Sequence, residues 1–412
     1  MNVADLKGQK IMMAVSGGLD SCTITHWLSN QGIEVIAYTA DLGQPDEADI
    51  EDVRQRMLAC GVTEMLIGDL KEAICRTGIQ LVQSQARYEG GYWNTTGIGR
   101  HVVVADMVPL MRERGIHILG HGATGRGNDQ VRFQLAAQML EPHIEVYAPW
   151  RDSAFLEVFG GRKEMIDYCQ AHGLPITATH DKPYSTDANI LGLTHEAGEL
   201  EDLKTPANRV EAGMGVFPVA APDKEEIFTV RFEKGQPVEI NGEKVNALQA
   251  IAMSNEIGGR NGVGIGLHAV ENRFVGIKSR GIYEAPALEL LGQCYEYLLQ
   301  LILDRRTRRI YEPISSYISE QIYQGYWFDT ATQACWKFVE HLNNLATGTI
   351  SVSLYKGHAA FHAASDAPHS LYSEDTASME AIGDFDHRDS EGFLGVLGVG
   401  ARALKTSGQT GL

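Results

Sequence analysis

The stretch Ser16-Gly17-Gly18-Leu19-Asp20-Ser21 carries the residue types best suited to chemistry near the start of this chain. The apolar run from Ile11 to Val15 reads as a buried strand, and the two glycines break it. Asp20 and Ser21 then open a segment with Ile24, Trp27 and Leu28 at helical spacing. A strand, a glycine turn and a helix N-terminus aim unpaired backbone N–H groups and the positive end of a helix dipole at one point. Two glycines let the backbone approach an anion closely, and the hydroxyls of Ser16 and Ser21 add donors. The chemistry this suggests is phosphate binding. The Gly-Lys-Ser/Thr ending of a Walker A loop is missing, and a plain strand-to-helix turn with a good N-cap is the bland alternative.

Further clusters follow. Tyr92-Trp93-Asn94-Thr95-Thr96-Gly97-Ile98-Gly99-Arg100 is dense in hydroxyls, amides and glycines and precedes an expected helix from Val102 to Arg114. By itself it reads as an N-cap cluster, with Thr95 or Thr96 as the cap. The run from Gly120 to Phe133 contains a Gly-x-Gly-x-x-Gly match, but Asn128, Asp129 and Arg132 follow it instead of an apolar helix face. It reads better as a substrate loop at a strand end than as a dinucleotide fingerprint. Ser185 to Glu196 is a polar cluster without clear period, and by spacing alone Glu271 and Tyr283 are ordinary surface residues.

These clusters need elements to position them. Strands are expected at Glu34–Thr39, Met65–Ile67, Ile116–Leu119 and Ile144–Tyr147, with helices at 46–60, 70–84 and 155–172 between and after them. This alternation implies a parallel sheet with helices on both faces, and ligands bind beyond the C-terminal strand ends, where Ser16–Ser21 and Ala40 fall. The second half reads as hairpins at 226–240 and 349–362, helices at 247–257, 286–304, 314–324 and 330–345, and a flexible glycine connector at 258–264. The expected division is 1–168, 169–365 and a weakly patterned polar tail, 366–412.

Composition narrows the classes. At 412 residues the chain exceeds one simple core, and its net charge of −18 weighs against nucleic acid or an anionic membrane as partner. The six cysteines, Cys22, Cys60, Cys75, Cys169, Cys294 and Cys335, lack metal or disulfide spacing and read as buried thiols in a reducing compartment. The polar start and the absence of a long apolar run lead to the expectation of a cytoplasmic protein.

The phosphate stretch resembles the pyrophosphate loop of ATP pyrophosphatases, enzymes that cleave ATP between its α- and β-phosphates. Taken with Asp41-Leu42-Gly43-Gln44, Tyr92 with Thr96, His121–Arg132, Tyr184–Asp187, Glu271–Arg273 and Ser279–Glu284, in that order, it resembles the argininosuccinate synthase family over nearly the whole chain. The resemblance implies an α/β fold: a parallel-sheet nucleotide-binding domain of adenine-nucleotide α-hydrolase type, an α+β synthetase domain and a C-terminal oligomerisation tail in a homotetramer. It implies ligation of citrulline and aspartate, with ATP and Mg²⁺ and through a citrullyl-adenylate. Carried over, Ala14, Ser16, Gly17, Gly18, Asp20, Ser21, Ala40, Gly122 and Thr124 would line ATP. Thr96, Thr124, Asn128 and Asp129 would hold aspartate. Tyr92, Asn128, Arg132, Ser185, Thr194, Glu196, Glu271 and Tyr283 would hold citrulline, with Asp129, Arg132 and Ser185 closest to the chemistry. Two departures stand out. Gly97 replaces a common Ser, and Asp41 replaces a common Asn, adding a negative charge that Mg²⁺ would offset. The rival classes are a tRNA-modifying pyrophosphate-loop enzyme, which the acidity opposes, and a non-catalytic nucleotide-binding module.

Overall fold

A computed structural model describes residues 1–45, 49–176, 183–378 and 386–411. The first unit alternates β1 (Lys10–Ala14), α1 (Leu19–Asn30), β2 (Glu34–Asp41), α2 (Ile50–Ala59), β3 (Glu64–Asp69), α3 (Lys71–Ser84), α4 (Thr95–Glu113), β4 (Ile118–His121), α5 (Asp129–Leu140) and β5 (Glu145–Tyr147). The short α6 (Ser153–Leu156) and α7 (Arg162–Ala171) close it. The strands form one parallel sheet in the order β3-β2-β1-β4-β5, so the chain reverses direction across the sheet between β1 and β4. The crevice outside the C-terminal ends of those two strands is where such sheets bind ligands. Val- and Ile-rich strands buried on both faces need helices on both sides, and the two cores either side of the sheet supply them.

The boundary expected between 168 and 169 falls inside α7. Cys169 is fully buried in the same core as Cys22 and Cys60, so the first unit runs to the end of α7. The single helix expected at 155–172 is two helices, α6 and α7, with Gly160 and Gly161 between them. The expected start of α2 at Asp46 lies outside the described residues.

The second unit begins with a hairpin, β6 (Ser185–Asn189) and β7 (Gly192–Glu196). Then come β8 (Glu226–Glu233), β9 (Gln236–Ile240), β10 (Glu243–Lys244), α8 (Ala247–Arg260), β11 (Ile265–Asn272) and β12 (Lys278–Glu284). Helices α9 (Pro286–Ile302), α10 (Arg305–Gln324) and α11 (Thr330–Asn343) precede the hairpin β13 (Gly348–Tyr355) and β14 (His358–Ser365). Two antiparallel sheets result, β10-β9-β8-β13-β14 and β11-β12-β7-β6. The first of them alternates buried Phe228, Val230 and Phe232 with more exposed neighbours, the period of a one-faced sheet. Its buried face joins α8 and α9 in the larger core.

Several sequence expectations shift. The glycines expected as a connector at 258–264 are partly helical: Gly258 and Gly259 lie buried in α8, where the helix meets the backbone of Pro286 and Met214 too closely for any side chain. Helix α10 starts at Arg305, well before 314, because Asp304 caps it by accepting from the N–H groups of Arg306 and Thr307. The tail is not weakly patterned throughout. It carries α12 (Glu374–Ala377) and α13 (His387–Thr406), and α13 leaves Phe393, Leu394, Val396, Leu397 and Leu404 exposed.

Candidate active site

Between β1 and α1 the backbone turns through Gly17 at φ +72°, a conformation glycine adopts at little cost. A Cβ there would stand 2.9 Å from Val53 Cγ1, so both the dihedral and the space exclude a side chain. Gly18, the N-cap of α1, is different: its φ is −80° and the nearest atom to an added Cβ is Ser16 Oγ at 3.5 Å. The fold itself therefore leaves room for a side chain at this position. The Ser16 N–H donates to Ser21 Oγ at 3.0 Å, and Arg56 donates to Gly17 O at 3.1 Å, so the turn is held from two sides. Trp150 Nε1 donates to Asp20 Oδ1 at 3.0 Å. Gly122 follows β4 directly and would bring a Cβ within 3.5 Å of Asp20 Cβ, so the two strand ends meet at this carboxylate. Ala40 ends β2 on the same sheet edge. Cys22 is fully buried beside the turn, with its thiol directed to Gly17 O, which fits a packing role.

The extra charge of Asp41 meets a cation within the protein, Lys71, which it shares with Asp69. Lys71 Nζ forms an ion pair with Asp41, and the Gly43 N–H donates to Asp41 Oδ1 at 3.0 Å.

Helix α4 starts seven residues before Val102, with Asn94 as N-cap in a left-handed conformation. Asn94 Nδ2 donates to the Ser319 carbonyl at 3.1 Å, tying this helix start to α10. Thr95, Thr96 and Gly97 thus form a buried first turn instead of a cap. The Tyr92 hydroxyl fills the helix end, accepting from the N–H groups of Thr96 at 3.0 Å and Gly97 at 3.3 Å. The α4 and α5 N-termini converge, because these helices pack against each other.

Asp129 and Arg132 lie one turn apart on α5, close enough for Arg132 Nη1 to reach Asp129 Oδ1 at 2.8 Å. Arg132 Nε donates to the Tyr323 carbonyl at 3.0 Å. An added Cβ on Gly97 would stand 3.3 Å from the Arg132 guanidinium carbon, so that departure gives the guanidinium its seat against α4. Arg100, one turn beyond Thr96, binds Asp129 at 3.0 Å and also pairs with Asp187 on β6. Burial pushes the Asp129 pKa up, but the charges and hydrogen bonds of Arg100 and Arg132 outweigh it and hold it well below the usual carboxylate range. Asp129 is therefore a fixed anion and a weak proton acceptor.

Opposite these helices stands the sheet β11-β12-β7-β6. Tyr283 pairs with Thr194 and Gly281 with Glu196, and Ser185 stands across from Glu196. Thr194 Oγ1 meets Thr96 Oγ1 at 3.2 Å, linking the two units. Tyr92 stacks on Tyr283 with centroids 4.3 Å apart. Behind the sheet, Glu284 accepts from His195 Nε2 at 2.7 Å and from the Met214 N–H at 2.7 Å, fixing β12 under Tyr283. Glu196 pairs with Arg273 at 3.0 Å. The Tyr323 hydroxyl donates to Glu271 Oε2, while Glu271 Oε1 is buried without a hydrogen-bond partner. Burial raises the Glu271 pKa to about 7, despite the Tyr323 hydrogen bond and Arg132, which lower it. A half-satisfied buried carboxylate of this kind is complementary to an ammonium group.

Contacts tie the first turns of α4 and α5 to the facing sheet, Thr96 to Thr194, Tyr92 to Tyr283 and Asn128 to the β11–β12 turn, while Asp20 and Gly122 meet at the ends of β1 and β4. Ser16 in the turn after β1, Thr124 on the loop after β4 and Ser185 at the start of an edge strand are exposed, the three open positions of the set. Asn128 Oδ1 accepts from the Phe274 N–H at 3.1 Å, so it joins the loop to the β11–β12 turn. Arg100, Asp187, Arg273 and Tyr323 were missed. Arg100 had a signal, one helical turn after Thr96, and Asp187 stood two residues after Ser185.

The family model described as "Arginosuccinate synthase N-terminal HUP domain" matches residues 10–175, and "Arginosuccinate synthase C-terminal domain" matches 184–404. The chain is 42% identical over 393 residues to "Argininosuccinate synthase" of Rhodopirellula baltica, covering 95% of this chain and 96% of that protein. It is 37% identical over 413 residues to that of Caldanaerobacter subterraneus, with 98% of each covered, and 36% identical over 394 residues to that of Thermotoga maritima, with 94% and 95% covered.

The glycine geometry gives a test. Gly18→Ala is expected to unfold within a few degrees of the wild type yet lose nucleotide affinity at least tenfold, measured by thermal melting and calorimetric titration. Gly17→Ala is expected to lower the melting temperature as well, since it adds left-handed strain of roughly 1 kcal/mol or more. Wild-type nucleotide affinity in folded Gly18→Ala would remove the anion role from this turn.

Proposed function

The chain belongs to the argininosuccinate synthase family, whose members ligate citrulline and aspartate with ATP in arginine biosynthesis, and on that premise we propose how its own residues divide the reaction. The observation that carries the proposal is the meeting, in one crevice, of a glycine anion turn, two converging helix N-termini and a sheet face bearing Glu271 and Glu196.

The turn Ser16–Ser21, with Ala14, Ala40, Gly122 and Thr124, receives ATP. Backbone N–H groups and the α1 dipole balance phosphate charge without a lysine. Mg²⁺ accompanies the nucleotide. Such an ion is bound chiefly by phosphates and one or two protein groups.

Citrulline lies against Tyr92, Asn128, Arg132, Ser185, Thr194 and Tyr283. Its ammonium meets the open oxygen of Glu271, with Glu196 nearby, and its carboxylate meets Arg132. This leaves the neutral ureido group pointed toward the anion turn. The ureido oxygen attacks the α-phosphorus, pyrophosphate leaves, and a citrullyl-adenylate forms. Aspartate, held by Thr96, Thr124, Asn128 and Asp129, then attacks the ureido carbon through its amine and AMP departs. A poor leaving group has been exchanged for a good one, as in other reactions with a covalent intermediate. With its two guanidinium partners, Asp129 orients the amine and does not take its proton. Catalysis is mainly positioning and charge balance.

Citrulline labelled with heavy oxygen on the ureido group should deliver that label to AMP, in a reaction whose pyrophosphate release needs both amino acids. Label-free AMP, read by mass spectrometry, rules out this route.

Glu271 gives the reaction a pH signature. Only the ionised carboxylate attracts an ammonium, and burial raises its pKa to about 7. The KM for citrulline should therefore climb as pH falls through 7 and level off above it. Glu271→Gln should have a high KM, at least tenfold above wild type at pH 8, with that dependence gone. A wild-type KM that is flat from pH 6 to 8 would remove Glu271 from the ammonium site.

We also propose a homotetramer in which the tail engages a neighbouring subunit. Support comes from α13, which presents Phe393, Leu394 and Leu397 to the outside. A chain ending at Ser378 should scatter light as a smaller species. Retention of full assembly size would place the contacts elsewhere.

A further inference from the structure

Helix α10 ends against α5. The last turn of a helix leaves carbonyl groups without helical partners, and one of these, the carbonyl of Tyr323, accepts from Arg132 Nε at 3.0 Å. Gly325 caps the helix at φ +97°, and an added Cβ there would stand 3.2 Å from Arg132 Cα. The Tyr323 ring is held as closely as its backbone. It stacks on Tyr88 with centroids 3.7 Å apart, makes a T-shaped contact with Tyr92 at 6.3 Å, and has the Arg132 guanidinium over it at 5.1 Å. The residue is fully buried, and its hydroxyl donates to Glu271 Oε2.

The other oxygen of Glu271, Oε1, is buried without a hydrogen-bond partner. The charged and titratable groups that face this carboxylate are Arg132 on α5, Glu196 on β7, Arg273 in the β11–β12 turn, Tyr323 on α10, and Tyr88 and Tyr92 between α3 and α4. Arg132 and Arg273 favour the ionised form through space, Glu196 opposes it, and Tyr323 adds a hydrogen bond. A phenol that donates to one oxygen stabilises the anion and fixes the rotation of the carboxylate, so Oε1 stays uncovered.

We propose that Tyr323 is the positioning residue of the citrulline site: its hydroxyl turns the unpartnered oxygen of Glu271 toward the ammonium group, and its carbonyl holds Arg132 for the carboxylate. The proposal rests on the ligase reading above and goes beyond it by assigning a residue that need not touch any substrate. One side chain and its own carbonyl set the relation between the anion and the cation that receive an α-amino acid. The effect of the hydroxyl runs through Glu271, so it shows in the pH dependence of citrulline recognition as well as in its strength.

The test is the citrulline KM in pyrophosphate release, followed across neutral pH at saturating ATP and aspartate. Tyr323→Phe keeps the ring, its stacking and the carbonyl but removes the donor. Burial of Glu271 is then less opposed, so its carboxylate takes up a proton at higher pH. The citrulline KM should rise about tenfold at neutral pH, and the pH below which it climbs should move up by about one unit. The ATP KM should stay within twofold, which also shows that the variant is folded. Tyr323 replaced by 3-fluorotyrosine, a more acidic phenol of nearly the same size, should move that pH down instead. Tyr88→Phe removes a hydroxyl of the same stack that donates to the Asn272 carbonyl and not to Glu271, and should leave it in place. A purely structural role for Tyr323 would not move the profile in opposite directions. An unmoved profile in Tyr323→Phe, or an equal shift in Tyr88→Phe, overturns the proposal. If Tyr323→Phe does not fold, the fluorotyrosine protein decides, and an unmoved or raised pH overturns it. A wild-type protein that releases no pyrophosphate with both amino acids would instead sink the ligase reading itself.

Discussion

The pairing of Arg132 and Arg100 with Asp129 is the interaction on which the rest of the crevice depends. A guanidinium as enclosed as that of Arg132 is costly unless its charge and its N–H groups are both satisfied, and removing one partner of such a pair typically costs 3–5 kcal/mol. Asp129 supplies the charge and the Tyr323 carbonyl one acceptor. Because those partners sit on α5 and α10, the pairing sets how the two helices meet. Tyr323 in turn stacks on Tyr88 at 3.7 Å and donates to Glu271, so one charge arrangement reaches from the parallel-sheet unit to the antiparallel one.

The same arrangement explains an apparent inconsistency in the carboxylates. Asp129 and Glu271 are both buried near Arg132, yet one is held well below its usual range and the other raised to about 7. Desolvation acts upward on both. Asp129 has two guanidiniums in direct hydrogen-bond contact, whereas Glu271 has a neutral phenol and feels Arg132 only at longer range. A site that must hold one permanent anion and one ligand-responsive carboxylate needs this asymmetry.

The phosphate-binding end works by a different economy. Gly17 satisfies a left-handed turn, Gly18 keeps space outside it, and the helix end provides direction. The carboxylates of Asp20 and Asp41 each meet a donor there, Trp150 for Asp20 and Lys71, which Asp69 shares, for Asp41.

By itself the sequence determined the parallel sheet, the anion turn and the family. Those features are written in local spacing: apolar strands ended by glycine, helices with period 3.6, and motifs such as Lys278-Ser279-Arg280-Gly281-Ile282-Tyr283-Glu284 that stay contiguous. The sheet β11-β12-β7-β6 was not legible, because its polar residues erase the alternation that marks a one-faced strand. The start of α4 was misplaced for a related reason. A tyrosine hydroxyl three residues upstream, not a local Ser or Thr, fills its end. Only the tertiary structure decided that Arg100 and Asp187, 87 residues apart, form an ion pair, that Lys71 pairs with Asp41, and that one buried oxygen of Glu271 has no hydrogen-bond partner. Burial and charge pairing are properties of neighbours in space, and no spacing along the chain encodes them.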